Sequence, residues 1–132
     1  MFANRRLQKN DDRHGALTVE FCLVVPIIFF LFFGALEITA INILRQSAGN
    51  AAYEAARKAV IPGGTAQDAE NTATQMLTML NCHHGSSVSV SESQEKVSVT
   101  ITVPAAQNSW GMTKFVGNIN ITETCVLSRD KF

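Results

Sequence analysis

The residues with the greatest chemical potential lie near the N-terminus, where the junction Gly15-Ala16 is followed by Glu20. Glu20 stands at the start of an apolar run, and an ionisable side chain at the edge of a lipid-embedded segment costs enough free energy to indicate a function. Two small residues form a junction that a protease could enter. Cleavage there would free an α-amine at Ala16, about one helical turn from Glu20. This pattern predicts a subunit that is processed and then packed against a neighbour.

Two interpretations of Glu20 follow from its position. An amine and a carboxylate left alone at a membrane interface are expensive, whereas a pair formed between neighbouring subunits offsets much of that cost. We therefore expect Glu20 of one subunit to pair with the Ala16 amine of the next and to set the axial register of packed helices. The alternative is that Glu20 only caps its own helix, whose N-terminus favours carboxylates. Capping alone does not require the preceding glycine junction.

The apolar run after Glu20 is long enough to cross a membrane. Residues 21–36 contain no charged side chain, and residues 16–19 and 38–41 extend the run past twenty. About twenty residues cover about 30 Å as a helix, which is the thickness of a bilayer core. We expect a transmembrane helix over residues 16–40, in which Pro26 produces a kink without ending the helix. Glu37, about 25 Å beyond Glu20, would mark the outer interface.

The distribution of basic residues predicts the orientation of this helix. Four basic residues precede the span, namely Arg5, Arg6, Lys9 and Arg13, whereas the near flank beyond it offers only Arg45. The positive-inside rule then places residues 1–15 in the cytoplasm as a polar, disordered leader, and residues 41–132 outside it. A cleaved secretory signal peptide is less consistent, because its apolar core is shorter and no A-x-A-like site follows Leu36. The formal net charge of zero gives no basis for nucleic-acid binding.

The cysteines and histidines offer two further possibilities. Cys22 falls in the span, whereas Cys82 and Cys125 fall in the exported part. In an oxidising compartment these two would form a disulfide closing a loop of about 43 residues, worth about 4 kcal/mol, and two free buried thiols are the alternative. Cys82-His83-His84 has no second ligand cluster, so we expect a helix-end loop and no metal site. No catalytic constellation or phosphate-binding loop is visible, so we expect neither an enzyme nor a cofactor.

Two helical segments are predicted beyond the span. The first continues the transmembrane helix as an amphipathic helix up to Pro62-Gly63-Gly64, and its apolar residues recur at helical spacing: Ile41, Leu44, Ala48, Ala51, Ala52, Ala55 and Ala59. Thr65 and Asp68 then resemble a capping box, with Asp in place of Glu. They predict a second helix to about Leu80, with one apolar side made of Ala69, Ala73, Met76, Leu77 and Leu80.

The remainder of the chain changes to the period of β-strands. Apolar residues alternate with Ser and Thr at 88–90 and 97–103, a polar turn at 92–96 separates them, and Pro104 ends the second strand. A loop with Trp110 and Phe115 precedes a third strand, whose apolar side is Ile119, Ile121, Cys125 and Leu127, interrupted by Glu123. The expected fold class is therefore α+β: a long N-terminal transmembrane helix that continues as an amphipathic helix, a second helix, and a small three-stranded antiparallel sheet.

The junction and the span together resemble a known family. Gly15-Ala16-Leu17-Thr18-Val19-Glu20-Phe21 before an apolar helix is similar to the class III signal of type IV prepilins. The chain continues with Pro26, Gly34, Glu37 and the segment Asn50-Ala51-Ala52-Tyr53-Glu54-Ala55-Ala56-Arg57-Lys58-Ala59-Val60. Over residues 13–60 this resembles the TadE-like pseudopilins of tight-adherence (Flp-type) pilus systems.

The resemblance implies a processing site, an assembly site and a set of partners. A prepilin peptidase would cut between Gly15 and Ala16 on the cytoplasmic side, and Glu20 and Phe21 would serve assembly with other pilins or pseudopilins and the pilus assembly platform. It also implies a single-pass protein of the bacterial inner membrane, in contact with membrane lipid, with a periplasmic C-terminal domain and a possible place in a pilus. The alternative is an uncleaved single-span protein whose exported domain binds another envelope component.

Overall fold

The computed structural model describes the backbone of residues 8–109 and 117–129, and the side chains of these residues from Arg13 onward. Trp110 and Phe115, which the sequence predicts to lie in a loop, fall outside the described residues, as does the leader before residue 8. The chain divides into two compact units, Met1–Leu36 and Glu37–Phe132.

Helix α1 runs from Gln8 to Val60 and contains Pro26 within it. The long helix predicted from the span to the Pro62 break is therefore confirmed. The leader differs from expectation, because residues 8–15 are helical and were expected to be disordered. The physical reason is that extending an existing helix costs little, and Gln, Lys and Arg are good helix formers.

Among the described residues, one helix, α1, is long and apolar enough to cross a membrane. The candidate segment is Arg13–Val60, and its most apolar window has a mean hydropathy of 2.6 with none of that window buried. Large side chains such as Phe21, Phe30 and Leu31 are about two-thirds exposed. Exposure of apolar side chains on this scale is expected where a helix faces lipid or neighbouring helices and not water.

In the second unit, α1 buries a stripe of small residues against the rest of the unit. The fully buried members of the stripe are Ala48, Ala51, Ala52, Ala55, Ala56 and Ala59, and Leu44 is 4% exposed. They share one hydrophobic core with three residues of α2 and four of the central strand. Because alanine carries only a methyl group, the helix backbone lies close to its neighbours. The predicted amphipathic pattern is thus confirmed, with Ala56 added to it.

Helix α2 runs from Ala66 to Met79 and begins with the predicted capping box. The Thr65 side chain accepts a hydrogen bond from the Asp68 backbone N–H, and the Asp68 carboxylate accepts from the Thr65 backbone N–H at 3.1 Å and from its hydroxyl at 2.8 Å. Ala69, Ala73 and Leu77 are buried as predicted, but Leu80 is 46% exposed. Leu80 is the C-cap residue, so it leaves the helical repeat that would have directed it inward.

Three antiparallel strands form one sheet in the order β1-β2-β3, with β1 at Ser87–Glu92, β2 at Lys96–Pro104 and β3 at Asn120–Ser128. Val97, Val99, Ile101 and Val103 of the central strand are fully buried. On the outer face of the sheet, the hydroxyls of Thr100 and Thr124 are hydrogen-bonded at 3.0 Å, and those of Thr102 and Thr122 at 3.3 Å. The predicted α+β class is confirmed, as is the alternation of faces, except that Ile119 precedes β3 and is exposed. A short helix α3, Ala105–Asn108, follows β2 and was not predicted.

Candidate functional site

The predicted processing junction lies on α1. Gly15 and Ala16 are both exposed, and the Thr18 hydroxyl donates a 2.8 Å hydrogen bond to the His14 carbonyl across the junction. A Cβ atom built on Gly15 would meet nothing within 4 Å, so alanine would fit there without collision. Glycine is nonetheless about 1 kcal/mol worse than alanine in a helix interior, which eases local opening of the helix at this peptide bond.

Glu20 and Phe21 follow on the same helix, and both side chains are exposed. Four residues separate Ala16 from Glu20, which is about 6 Å along the helix axis. An exposed carboxylate at this position is accessible to a donor from another molecule. The structure therefore places all four predicted residues of this site within about two turns of one helix.

Glu37 has a role that its sequence position does not reveal. The hydroxyl of Ser109 donates a partly buried hydrogen bond of 2.9 Å to Glu37 Oε1. The two residues are 72 positions apart, and Ser109 directly follows α3. A hydrogen bond to an ionised carboxylate is among the stronger kinds, so this contact attaches the end of α3 to the beginning of the second unit. No sequence signal could have indicated it, because α3 itself was not predicted.

The predicted Cys82–Cys125 disulfide is not formed in the structure, where both residues are free cysteines. Their shared inward direction was correctly inferred, since Cys82 belongs to the core and Cys125 packs against it. The Cys82 thiol, however, donates to the Leu80 carbonyl at 3.2 Å, while Cys125 stands opposite Val99 in the sheet. Side-chain direction along a strand fixes the face but not the separation that a disulfide requires.

Burial changes the acidity of both thiols. It raises the pKa of the Cys82 thiol, which a hydrogen bond with Ser47 on α1 opposes in part. It also raises the pKa of the Cys125 thiol. Both thiols therefore remain protonated and weakly nucleophilic at neutral pH, because the thiolate is the reactive form.

The rings of the two histidines after Cys82 lie close together at a tilt in the loop that follows α2. Their ring centroids are 4.3 Å apart at an interplanar angle of 34°. Asn108 of α3 holds the His84 backbone from both sides: its amide donates to the His84 carbonyl at 2.7 Å, and its carbonyl accepts from the His84 N–H at 3.2 Å. Among the described residues, no group of three or more His, Cys, Asp or Glu side chains is placed to hold a metal ion.

Two arginines join α1 to the sheet. Arg45 lies 3.6 Å from Glu123, which explains how a carboxylate is tolerated among the apolar residues of β3. Arg129 donates to the Ala59 carbonyl at 2.9 Å, near the C-terminus of α1, and lies 3.9 Å from Glu92. A cation at this end of a helix is favourable because the last carbonyls carry partial negative charge. These contacts fix the part of α1 that lies in the second unit on the sheet.

An open cavity of about 320 Å³ lies beside α3 and the beginning of β3. Its described lining includes the amide side chains of Gln107, Asn118 and Asn120, and none of the described lining residues is ionisable. The described part of the lining offers hydrogen bonds but no group that could act as a general acid or base near neutral pH.

The comparisons with known proteins agree with the N-terminal geometry. The TadE-like protein family matches residues 15–57, from the junction glycine to the last turns of α1. No curated protein and no solved structure matches the chain. The resemblance predicted from the sequence is thus confirmed over residues 15–57, where the chain is similar to TadE-like proteins.

Proposed function

We propose that this chain is a TadE-like minor pilin or pseudopilin that takes part in assembling a tight-adherence pilus or its secretion machinery. A prepilin peptidase would first remove residues 1–15. The observation that carries the proposal is that the family match begins at Gly15, directly at the proposed cleavage junction, and continues through a helix of membrane-spanning length. The role is structural and not catalytic.

Cleavage creates the group that Glu20 is proposed to bind. The new α-amine at Ala16 is cationic at neutral pH, since such amines have a pKa of about 8. Glu20 is exposed on the same helix. A pair between Glu20 of one subunit and Ala16 of the next would reduce the cost of both charges at the membrane, where either alone is expensive. Such a pair would fix how far one helix is displaced along its neighbour.

The distribution of burial supports packing through the membrane half of α1. In the second unit, the sheet and α2 of that unit already cover the alanine stripe of α1. In the first unit, the large apolar side chains are exposed and none of the most apolar window is buried. The unoccupied apolar surface thus lies where neighbouring helices in a membrane or a fibre core would pack.

The proposed setting follows from charge and length. The basic residues before the span favour a cytoplasmic N-terminus and a periplasmic second unit in a bacterial inner membrane. The partners would be the prepilin peptidase, other pilins or pseudopilins, the assembly platform and membrane lipid.

The processing step is tested by comparing Gly15→Ala with Gly34→Ala during co-expression with a prepilin peptidase. A Cβ atom built on either glycine meets nothing within 4 Å, so the two variants make the same change in the same helix without collision. We expect Gly34→Ala to be shortened like the unaltered chain and Gly15→Ala to keep its leader, as seen by gel mobility. Equal shortening of both variants would contradict the proposed site. An unaltered chain that stays full-length would favour the uncleaved single-span alternative.

A further inference from the structure

The corner of the exported unit formed by Glu37, α3 and Ser109, here called the Glu37–Ser109 corner, carries an inference about the membrane surface. We propose that this corner rests in the lipid headgroup layer, so that the exported unit sits directly on the phospholipid surface with no spacer. The inference uses the membrane span but neither the cleavage nor the assembly proposed above.

The first argument is the position of Glu37 relative to the span. It is the first charged residue after residues 21–36, which have none. A carboxylate at the end of such a run belongs at the boundary between hydrocarbon and headgroups, because it is costly any deeper. The headgroup layer on each side of a bilayer is about 6 Å thick. Ser109 Oγ lies 2.9 Å from the Glu37 carboxylate, well within that depth.

The second argument is that packing against the rest of the exported unit begins at Glu37 itself. Glu37, Ala40 and Ile41 are half-buried, and Leu44 is the first buried residue of the same stripe. The spacing of three and four residues shows that they lie on one face of α1. The exported unit therefore covers α1 from the first residue beyond the apolar run, and no stretch of bare helix is left to hold it away from the membrane.

The third argument comes from exposed apolar side chains at the same level of α1. Ile38 is 64% exposed and Ile43 is 57% exposed, although both lie beyond the first charge after the span. Their rise beyond Glu37 along the axis is at most about 9 Å. Apolar side chains at this height are stabilised when the unit sits low enough for them to meet the interfacial region and not bulk water.

The chain carries a natural probe for this corner. Trp110 is the only tryptophan in the sequence and directly follows Ser109. The unaltered full chain is reconstituted in vesicles of phosphatidylethanolamine and phosphatidylglycerol, with and without bromine near the headgroup end of the acyl chains. We expect the brominated lipid to quench Trp110 emission by about half, because indole rings favour this interface. Aqueous iodide should quench it weakly.

Variants test whether the hydrogen bond positions the corner. Ser109→Ala and Glu37→Ala should each reduce lipid quenching and increase iodide quenching, whereas Glu37→Gln keeps an acceptor oxygen and should behave like the unaltered chain. Ser91→Ala, on exposed β1, is the matched control and should change nothing. A chain that resists alkaline extraction from the vesicles, yet shows strong iodide quenching and no lipid quenching, overturns this inference alone. A chain that alkali extracts overturns the membrane anchoring as well.

Discussion

Glu20 is exposed on α1, about 6 Å along the helix from Ala16, and its proposed role in assembly depends on a charge that exists only if the chain is cut. Before cleavage, position 16 contributes a neutral peptide N–H. In the proposed mechanism, cleavage converts this N–H into a cationic amine, which would give the carboxylate a partner of opposite sign in an adjacent subunit. The proposal therefore couples processing to assembly through one residue.

Replacing Glu20 with Gln tests this coupling at the residue scale. The variant keeps nearly the same size and removes the charge, so insertion should be unaffected because an amide is cheaper than a carboxylate near lipid. Incorporation into the assembly, measured by co-purification with the other pilins, should fall severalfold, the loss expected for a desolvated ion pair. Glu70→Gln, on the exposed side of α2, is the matched control. Normal incorporation of Glu20→Gln would leave only the helix-capping interpretation.

Some candidate residues can be recognised from the sequence, whereas some contacts of the structure cannot. Gly15 and Glu20 are recognisable because their spacing along one helix is itself the signal. The Glu37–Ser109 hydrogen bond joins residues 72 positions apart through a four-residue helix. The N-cap of that helix is Pro104, which makes no side-chain cap hydrogen bond, so the local sequence does not predict the helix. The Cys82–Cys125 disulfide stays a prediction for a related reason, since the period of a strand gives direction and not distance.

At the scale of elements, periodicity predicted the two long helices and the three strands but not α3. The repeat of three and four residues placed the alanine stripe on the buried face of α1, and the repeat of two placed the central-strand valines in the core. The helical leader was also missed, because its polar composition was taken as a sign of disorder although its residues have good helix propensity next to an existing helix.

The capping box of α2 gives a pH-dependent prediction. Hydrogen bonds from the Thr65 side chain and backbone lower the pKa of Asp68 below its ordinary value of 3.8. Because this pKa is lowered in the folded state, the hydrogen bonds to the ionised Asp68 carboxylate stabilise the fold above about pH 4. That stabilisation is lost as the pH falls through the folded-state pKa. Thr65→Ala should lower the free energy of unfolding by about 1 kcal/mol at neutral pH.

The test of this prediction is how the difference in free energy of unfolding between Thr65→Ala and the unaltered chain changes in acid. Unfolding in urea, followed by circular dichroism from pH 7 downward, should show the Thr65→Ala difference shrinking in acid as Asp68 is protonated in both proteins. Thr74→Ala removes an exposed hydroxyl that bonds only the preceding turn of the same helix, and it serves as the control. A Thr65→Ala difference that stays constant to low pH would show that the Asp68 side of the box contributes little.

At the scale of the whole molecule, one core is shared by α1, α2 and the sheet, and the two thiols report on its integrity. Burial raises the pKa of Cys82 and of Cys125 in the folded state. The protonated buried thiols stabilise the folded state fully below the unfolded thiol pKa of about 8.5. This stabilisation is lost as the pH rises through the higher pKa values of the folded state. The folded chain should therefore become less stable in alkali.

Thermal unfolding between neutral and alkaline pH checks this. The midpoint temperature of unfolding of the unaltered chain should fall as the pH rises. The midpoint temperature of a Cys82→Ala, Cys125→Ala double variant should fall less. Cys22→Ala is the control, because Cys22 lies in the first unit and is exposed. Identical alkaline slopes in the double variant and the unaltered chain would contradict the buried-thiol assignment.

The most direct test of the account is the mass of the mature chain purified from membranes of bacteria that contain a prepilin peptidase. Intact-protein mass spectrometry should give a chain that begins at Ala16, and the same expression without the peptidase should give the full-length chain. A chain that retains residues 1–15 in the presence of an active peptidase would contradict the account, because the proposed partner of Glu20 would never be formed.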